Sequence, residues 1–186
     1  MTSDDGVVWN LDAADGELTV RTGVAGRAAR MGHRLTIAMT RWQARVNWVD
    51  GEPSTAVLAV EVDSLQVLRG EGGVKGLSGP EKSVARSNAL KSLSASRFPE
   101  IRFAADVIAG TEDGYRLQGT LHIRGKARPH TVELHADDLG DSWRLTAESR
   151  VRQSDFGVKP FSMLVGSLRV ADEVTVCFTA LRRGSA

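Results

Sequence analysis

Apolar and polar residues alternate at every second position in one stretch after another, and this constrains the chain more than any other feature. Leu35, Ile37 and Met39 share one parity, and Trp42, Ala44, Val46 and Trp48 alternate with Arg41, Gln43, Arg45 and Asn47. Tyr115, Leu117, Gly119, Leu121 and Ile123 alternate with Arg116, Gln118, Thr120 and His122. The pattern returns at Val132, Leu134 and Ala136, at Trp143, Leu145, Ala147 and Val151, and at Val174, Val176, Phe178 and Ala180. Each stretch reads as a strand with one dry and one wet face.

Less regular strands are expected over 56–62 and 101–109, with short ones over 7–11 and 17–21. Asp50-Gly51, Asp113-Gly114, Gly125-Lys126 and Asp141 supply the turn chemistry between them. About eight to ten one-sided strands in succession predict an all-β fold built on one antiparallel sheet. A sheet of that width curls into a barrel or splits into a sandwich. With 186 residues, a single domain over 1–186 is expected.

If the loop 125–128 joins its flanking strands, matching apolar faces put Leu121 opposite Val132, Gly119 opposite Leu134 and Leu117 opposite Ala136. One segment departs from alternation. Over 78–93 the chain reads helical, with Ser78 and Glu81 spaced as a capping box and Pro80 in the first turn. Val84, Ala85, Ala89 and Leu93 form its weak apolar stripe. The glycines before it (Gly70, Gly72, Gly73 and Gly76) fit no phosphate-loop spacing and read as a flexible approach to the helix.

Small residues interrupt the inward face at Ala44, Ala105, Gly119, Ala136, Ala147 and Ala180. They leave two interiors open: an apolar cavity, or a filled barrel whose taper the small residues fit. Catalytic groupings are hard to find. Strand parity points His122 and His135 outward and His130 inward, and no metal-ligand spacing links the histidines. Cys177 falls on an outward position with no activating base, and its being the single cysteine excludes an intrachain disulfide. His33, Asp155 and His130 are the candidates for acid–base work, which requires two such groups to converge on the interior.

Lys and Arg (24) nearly balance Asp and Glu (23), so no nucleic-acid partner is expected. No apolar run approaches a membrane span, so stable membrane insertion is not expected either. Met1-Thr2-Ser3-Asp4-Asp5 is acidic with no apolar stretch behind it. No secretory signal is therefore expected, and a cytoplasmic location is. No cofactor or metal is implied, and the outer face is a candidate homodimer or partner-docking surface.

Several blocks together resemble the YceI-like family. Gly32-His33-Arg34-Leu35-Thr36-Ile37 and Arg41-Trp42-Gln43-Ala44-Arg45-Val46 are similar to its opening strands, followed by Ser64-Leu65-Gln66-Val67. Arg97-Phe98-Pro99-Glu100-Ile101-Arg102-Phe103, then Gly119-Thr120-Leu121-His122-Ile123-Arg124-Gly125, resemble two middle blocks. Gln153-Ser154-Asp155-Phe156-Gly157 and Leu168-Arg169-Val170-Ala171-Asp172-Glu173-Val174 resemble the last two. Gln153 stands where an arginine is common, and the glycine-rich 70–76 departs from the pattern.

The resemblance, over roughly 9–181, implies an extended lipocalin-like antiparallel β-barrel with one short helix between strands. It implies binding of an apolar, isoprenoid-like lipid (a polyisoprenoid or isoprenoid quinone) and carries over no catalytic residue. The lipid-lining residues expected on that basis are Leu35, Ile37, Met39, Trp42, Val46, Phe103, Leu117, Gly119, Leu121, Leu134, Leu145, Val176 and Phe178. Met39 and Met163 would adapt to an irregular chain, and the helix and the loop 155–164 are the candidate gates. A filled-barrel interaction module, and after it an enzyme acting on a small apolar substrate, are the alternatives.

Overall fold

A computed structural model of the chain describes residues 7–183; the opening stretch Met1–Asp5, with its two aspartates, lies outside that range. The strands are β1 (Val8–Asp12), β2 (Gly16–Ala25), β3 (His33–Met39), β4 (Trp42–Val49), β5 (Glu52–Glu61) and β6 (Leu65–Gly72). After the helix α1 (Gly79–Leu93) come β7 (Glu100–Thr111), β8 (Gly114–Ile123), β9 (Lys126–Asp138), β10 (Ser142–Arg152), β11 (Ser162–Met163) and β12 (Leu168–Arg183). They form one 12-stranded antiparallel sheet, more strands than alternation alone reveals. The path runs β1-β4-β5-β7-β8-β9-β10-β12-β2-β3-β6, with β11 paired to β12. The sheet curls on itself, because the inward residues of strands from β2 through β12 face one common space.

Register corrects the sequence reading at the β8–β9 hairpin. Leu117 pairs with Val132, Gly119 with His130 and Leu121 with Arg128, a slip of four residues along β9. The connection is the two-residue turn Arg124-Gly125, both at positive φ (51° and 72°), rather than a loop over 125–128. Two positive φ values give the turn a twist that matches the strands. An even slip preserves parity, so the inward and outward faces of β9 are unchanged by it.

The glycine-rich segment is also different from expectation. Gly70 and Gly72 belong to β6, opposite Leu35 and His33, so the first half of the segment is paired strand; Gly73 and Gly76 lie in the irregular stretch that leads to α1. Gly73 has φ +72°, a conformation that favours glycine, and a Cβ there would also meet the His33 ring at 2.6–3.1 Å.

Helix α1 begins as expected. The Ser78 hydroxyl accepts from the Glu81 amide, and the Glu81 carboxylate accepts from the Ser78 amide at 2.7 Å. Those hydrogen bonds hold the Glu81 carboxyl below its usual range. Arg86 then ties the helix down, donating to the carbonyls of Leu65 (2.7 Å) and Asp63 (2.6 Å). Both acceptors belong to the tightly buried link between β5 and β6, where Val62 and Ser64 are nearly inaccessible.

The buried apolar residues fall into two clusters. One gathers Leu11, Leu18, Ile37, Met39, Trp42, Leu65 and Ala180. The other gathers Phe103, Ala105, Leu117, Leu121, Val151, Phe156 and Val158. The space between and beside them is not filled by side chains.

Candidate functional site

That space is a cavity of about 790 Å³, bounded by the dry faces of the strands and by α1. It lies within the ~300–1,000 Å³ over which pockets enclose a drug-sized molecule. Its wall is almost wholly aliphatic and aromatic: Leu18 and Val20 from β2, Leu58 and Val60 from β5, Val132 from β9, and Val174 from β12 are typical. Pro80, Val84, Ala85, Ala89 and Leu93 of α1 form its cover. None of the α1 residues is fully buried: Val84 is 60% exposed and borders the cavity, whereas Ala89, Leu90 and Leu93 pack against the core.

All but two of the residues expected to line the interior do so: Leu35, Ile37, Met39, Val46, Phe103, Leu117, Leu121, Leu134, Leu145, Val176 and Phe178 face the cavity. Trp42 does not. It is buried in the first core cluster behind the wall, its ring edge-on to Phe178 with centroids 5.3 Å apart. Gly119 does not either. The β7 strand bulges between Ala105 and Val107, and its backbone passes so close that a Cβ on Gly119 would lie 2.6 Å from Ala105 Cα. Gly119 is a packing glycine rather than a piece of wall.

Several lining residues are invisible to strand parity. The α1 group is one set; another is Met31, Phe161, Met163 and Leu168, which bring the cavity to the surface. The loop 155–164 divides in function. Phe156 and Val158 are core residues, whereas Phe161 to Leu164 are exposed at the opening. Only the second half stands at the opening.

One polar pair interrupts the wall. Pairing between β9 and β10 stops at Leu134–Ala147, and beyond it the strands part. There His130 Nε2 lies 2.7 Å from Ser149 Oγ, and both side chains border the cavity. The Phe103 ring sits edge-on to the imidazole at 6.0 Å. Burial in these surroundings lowers the His130 pKa, keeping the ring neutral. A neutral imidazole next to a hydroxyl offers one donor and one acceptor, suited to a single uncharged polar group.

The other candidate acid–base residues do not join this pair. His33 Nε2 is 2.7 Å from the Lys75 carbonyl at the opening, and Asp155 is exposed outside the cavity wall. Among the described residues no hydrogen bond links His33, His130 and Asp155, and no three His, Cys, Asp or Glu side chains cluster to hold a metal. Cys177 lies on the outer face, paired with Thr19 and Glu148. No helix among the described residues is long and apolar enough to cross a membrane.

The family model described as a YceI-like domain matches residues 9–180. No curated protein matches the sequence. Among solved structures, BcnA of Burkholderia cenocepacia is similar with a TM-score of 0.69 at 19% identity, over 92% of this chain and 98% of that one. The YceI protein of Campylobacter jejuni gives 0.61 at 10% identity, over 81% and 85%. A mutant CJ YceI protein with a monobromobimane guest gives 0.61 at 12% identity, over 81% and 85%. At these identities the likeness is one of fold: a curled antiparallel barrel with a single covering helix.

Proposed function

This chain belongs to the YceI-like family, and from that premise we propose that it binds an apolar lipid inside the barrel for carriage or storage, without catalysing a reaction on it. The observation that carries this reading is the cavity of about 790 Å³, whose wall is aliphatic and aromatic apart from a few polar side chains. Burying hydrocarbon is favourable by roughly 0.8 kcal/mol per CH₂, so a five-carbon isoprene unit contributes about 3–4 kcal/mol gross. A few units offset the ordering and association costs of binding with no charged contact at all.

The ligand class that fits is a polyisoprenoid or an isoprenoid quinone. Length and shape would be read by the apolar wall, in which Phe178 is backed edge-on by Trp42. The His130–Ser149 pair would meet one uncharged polar atom, such as a hydroxyl or a quinone carbonyl. The filled-barrel alternative lacks support, because its premise was an interior closed by side chains.

The test is native mass spectrometry of protein purified from its own host, followed by organic extraction. A prenyl chain released from the protein is the expected result. Clean apo-protein that also takes up no apolar dye would overturn the reading.

A further inference from the structure

The two ends of the barrel carry opposite charge. Antiparallel pairing places the turns 50–51, 112–113 and 139–141 at one end. Those turns hold Asp50, Glu112, Asp113 and Asp141, with Asp137 and Asp138 beside them, and no Lys or Arg. Arg182 and Arg183 close β12 nearby.

The other end holds the cavity opening, made by the segments 26–34, 72–77 and 159–169. They are neighbours: Ala28 N donates to Ser167 O at 2.8 Å, Ala25 pairs with Arg169, and His33 reaches the Lys75 carbonyl. These three segments contain Arg27, Arg30, Arg34, Lys75, Lys159 and Arg169 and not one Asp or Glu. Among the described residues only Lys75 of the six meets a carboxylate, Glu81 at 4.0 Å. The nearest acids are otherwise occupied or set back: Glu71, opposite Arg34 in the β3–β6 ladder, is bridged to Arg69 at 3.2 Å, Glu81 caps α1, Asp172 accepts from Ser154, and Asp155 lies before the segment. A net charge of +1 hides this polarity completely.

Large apolar side chains stand among those cations. Val74 is 88% exposed and Val165 fully so, with Met31, Met163 and Leu164 each more than half exposed. Met31 and Met163 also line the cavity, so the apolar rim is continuous with the interior. Leu164 and Val165 are both held at positive φ (51° and 53°). A β-branched residue is a rare outlier there, and its strain has no compensating burial in the free protein.

We propose that this end is a docking surface for an anionic lipid bilayer, with the cations on the phosphate layer and the Leu164–Val165 tip entering the acyl boundary. Cations near an anionic surface supply the attraction, and the exposed apolar rim supplies insertion. The cavity opening then faces the lipid phase, giving a chain passage between bilayer and barrel without crossing water. The significance for lipid exchange rests on the cavity reading above; the docking itself does not.

The test is co-sedimentation of the full chain with vesicles of phosphatidylcholine containing about one-third phosphatidylglycerol, at about 0.05 and about 0.5 M salt. Sedimentation at low salt, loss at high salt and no binding to pure phosphatidylcholine are expected. Arg27→Glu/Arg30→Glu should lower partitioning about tenfold or more, and Val165→Asp at least about threefold. The acidic-end variant Asp137→Lys/Asp138→Lys should bind as the parent does. Asp tolerates positive φ better than Val, and a thermal melt with uptake of N-phenyl-1-naphthylamine checks that each variant is folded. Failure of the parent to sediment at low salt, or undiminished binding by both opening variants, overturns the proposal. Dye uptake without vesicle binding overturns docking and leaves the cavity reading in place; vesicle binding without dye uptake does the reverse.

Discussion

His130 and Ser149 meet at 2.7 Å across the place where β9 and β10 stop pairing, so a side-chain hydrogen bond continues what the ladder leaves off. The pair is half-buried and borders an apolar space, which raises the cost of charging the imidazole.

A pH dependence follows. Burial lowers the folded-state pKa of His130 below the ordinary value of about 6.5. Well above that value the ring is neutral folded or unfolded, and the shift contributes nothing. As pH falls through about 6.5, the unfolded chain takes up the proton first, so stability declines until the folded-state pKa is passed. Thermal melts between about pH 8 and about pH 5 should show a smaller acid-side loss in His130→Leu than in the parent. Parallel curves for the two proteins would mean that His130 carries none of it.

Arg86 is the fastening of the cover. Its guanidinium donates to two backbone carbonyls in the β5–β6 link, and hydrogen bonds from a charged donor are worth ~1.5–3 kcal/mol. Arg86→Ala should therefore speed amide hydrogen exchange over 79–93 by about tenfold or more, with a smaller effect on β8 and β9. Equal acceleration everywhere would indicate that the helix opens only with the whole barrel.

How much of this was legible in the sequence depends on what alternation encodes. Parity gives the face of a strand, and it sorted Leu35, Ile37, Met39, Leu117 and Val176 onto the interior correctly. It does not give depth behind the wall, so Trp42 shares the parity of the wall residues although it is buried in the core and does not line the cavity. Parity is equally blind to an even slip, and the β8–β9 register was decided by the left-handed Arg124-Gly125 turn. Strand β6 lacks clean alternation, with Leu68 exposed and Gly70 and Gly72 in its ladder, so its glycines resembled a loop. The rim at Met31, Phe161 and Met163 depends on loops meeting in space, for which no local pattern exists.

Gly119 shows what depth costs when misjudged. As a wall residue it would accept a larger side chain into the lumen. With the bulged β7 backbone against it, even a methyl must displace main chain. Gly119→Ala should destabilise the fold by roughly 1–3 kcal/mol, the usual cost of overpacking a close-packed site. Denaturant unfolding measures this. An unchanged midpoint would mean that β7 and β8 separate there without penalty.

Ala147 offers the narrowing that Gly119 cannot. It pairs with Leu134 and Phe178, its side chain borders the cavity, and both cross-strand partners also line it. A phenyl ring at 147 extends into open space, where filling a void commonly adds ~0.5–2 kcal/mol of stability. Stability and capacity should then move in opposite directions in Ala147→Phe. Its midpoint in denaturant should hold or rise, while its affinity for N-phenyl-1-naphthylamine falls about tenfold, the equivalent of ~1.4 kcal/mol of lost apolar contact. Because the variant stays folded, a drop in uptake cannot be charged to unfolding. Undiminished uptake in a stable Ala147→Phe protein would place the dye somewhere other than between β9, β10 and β12.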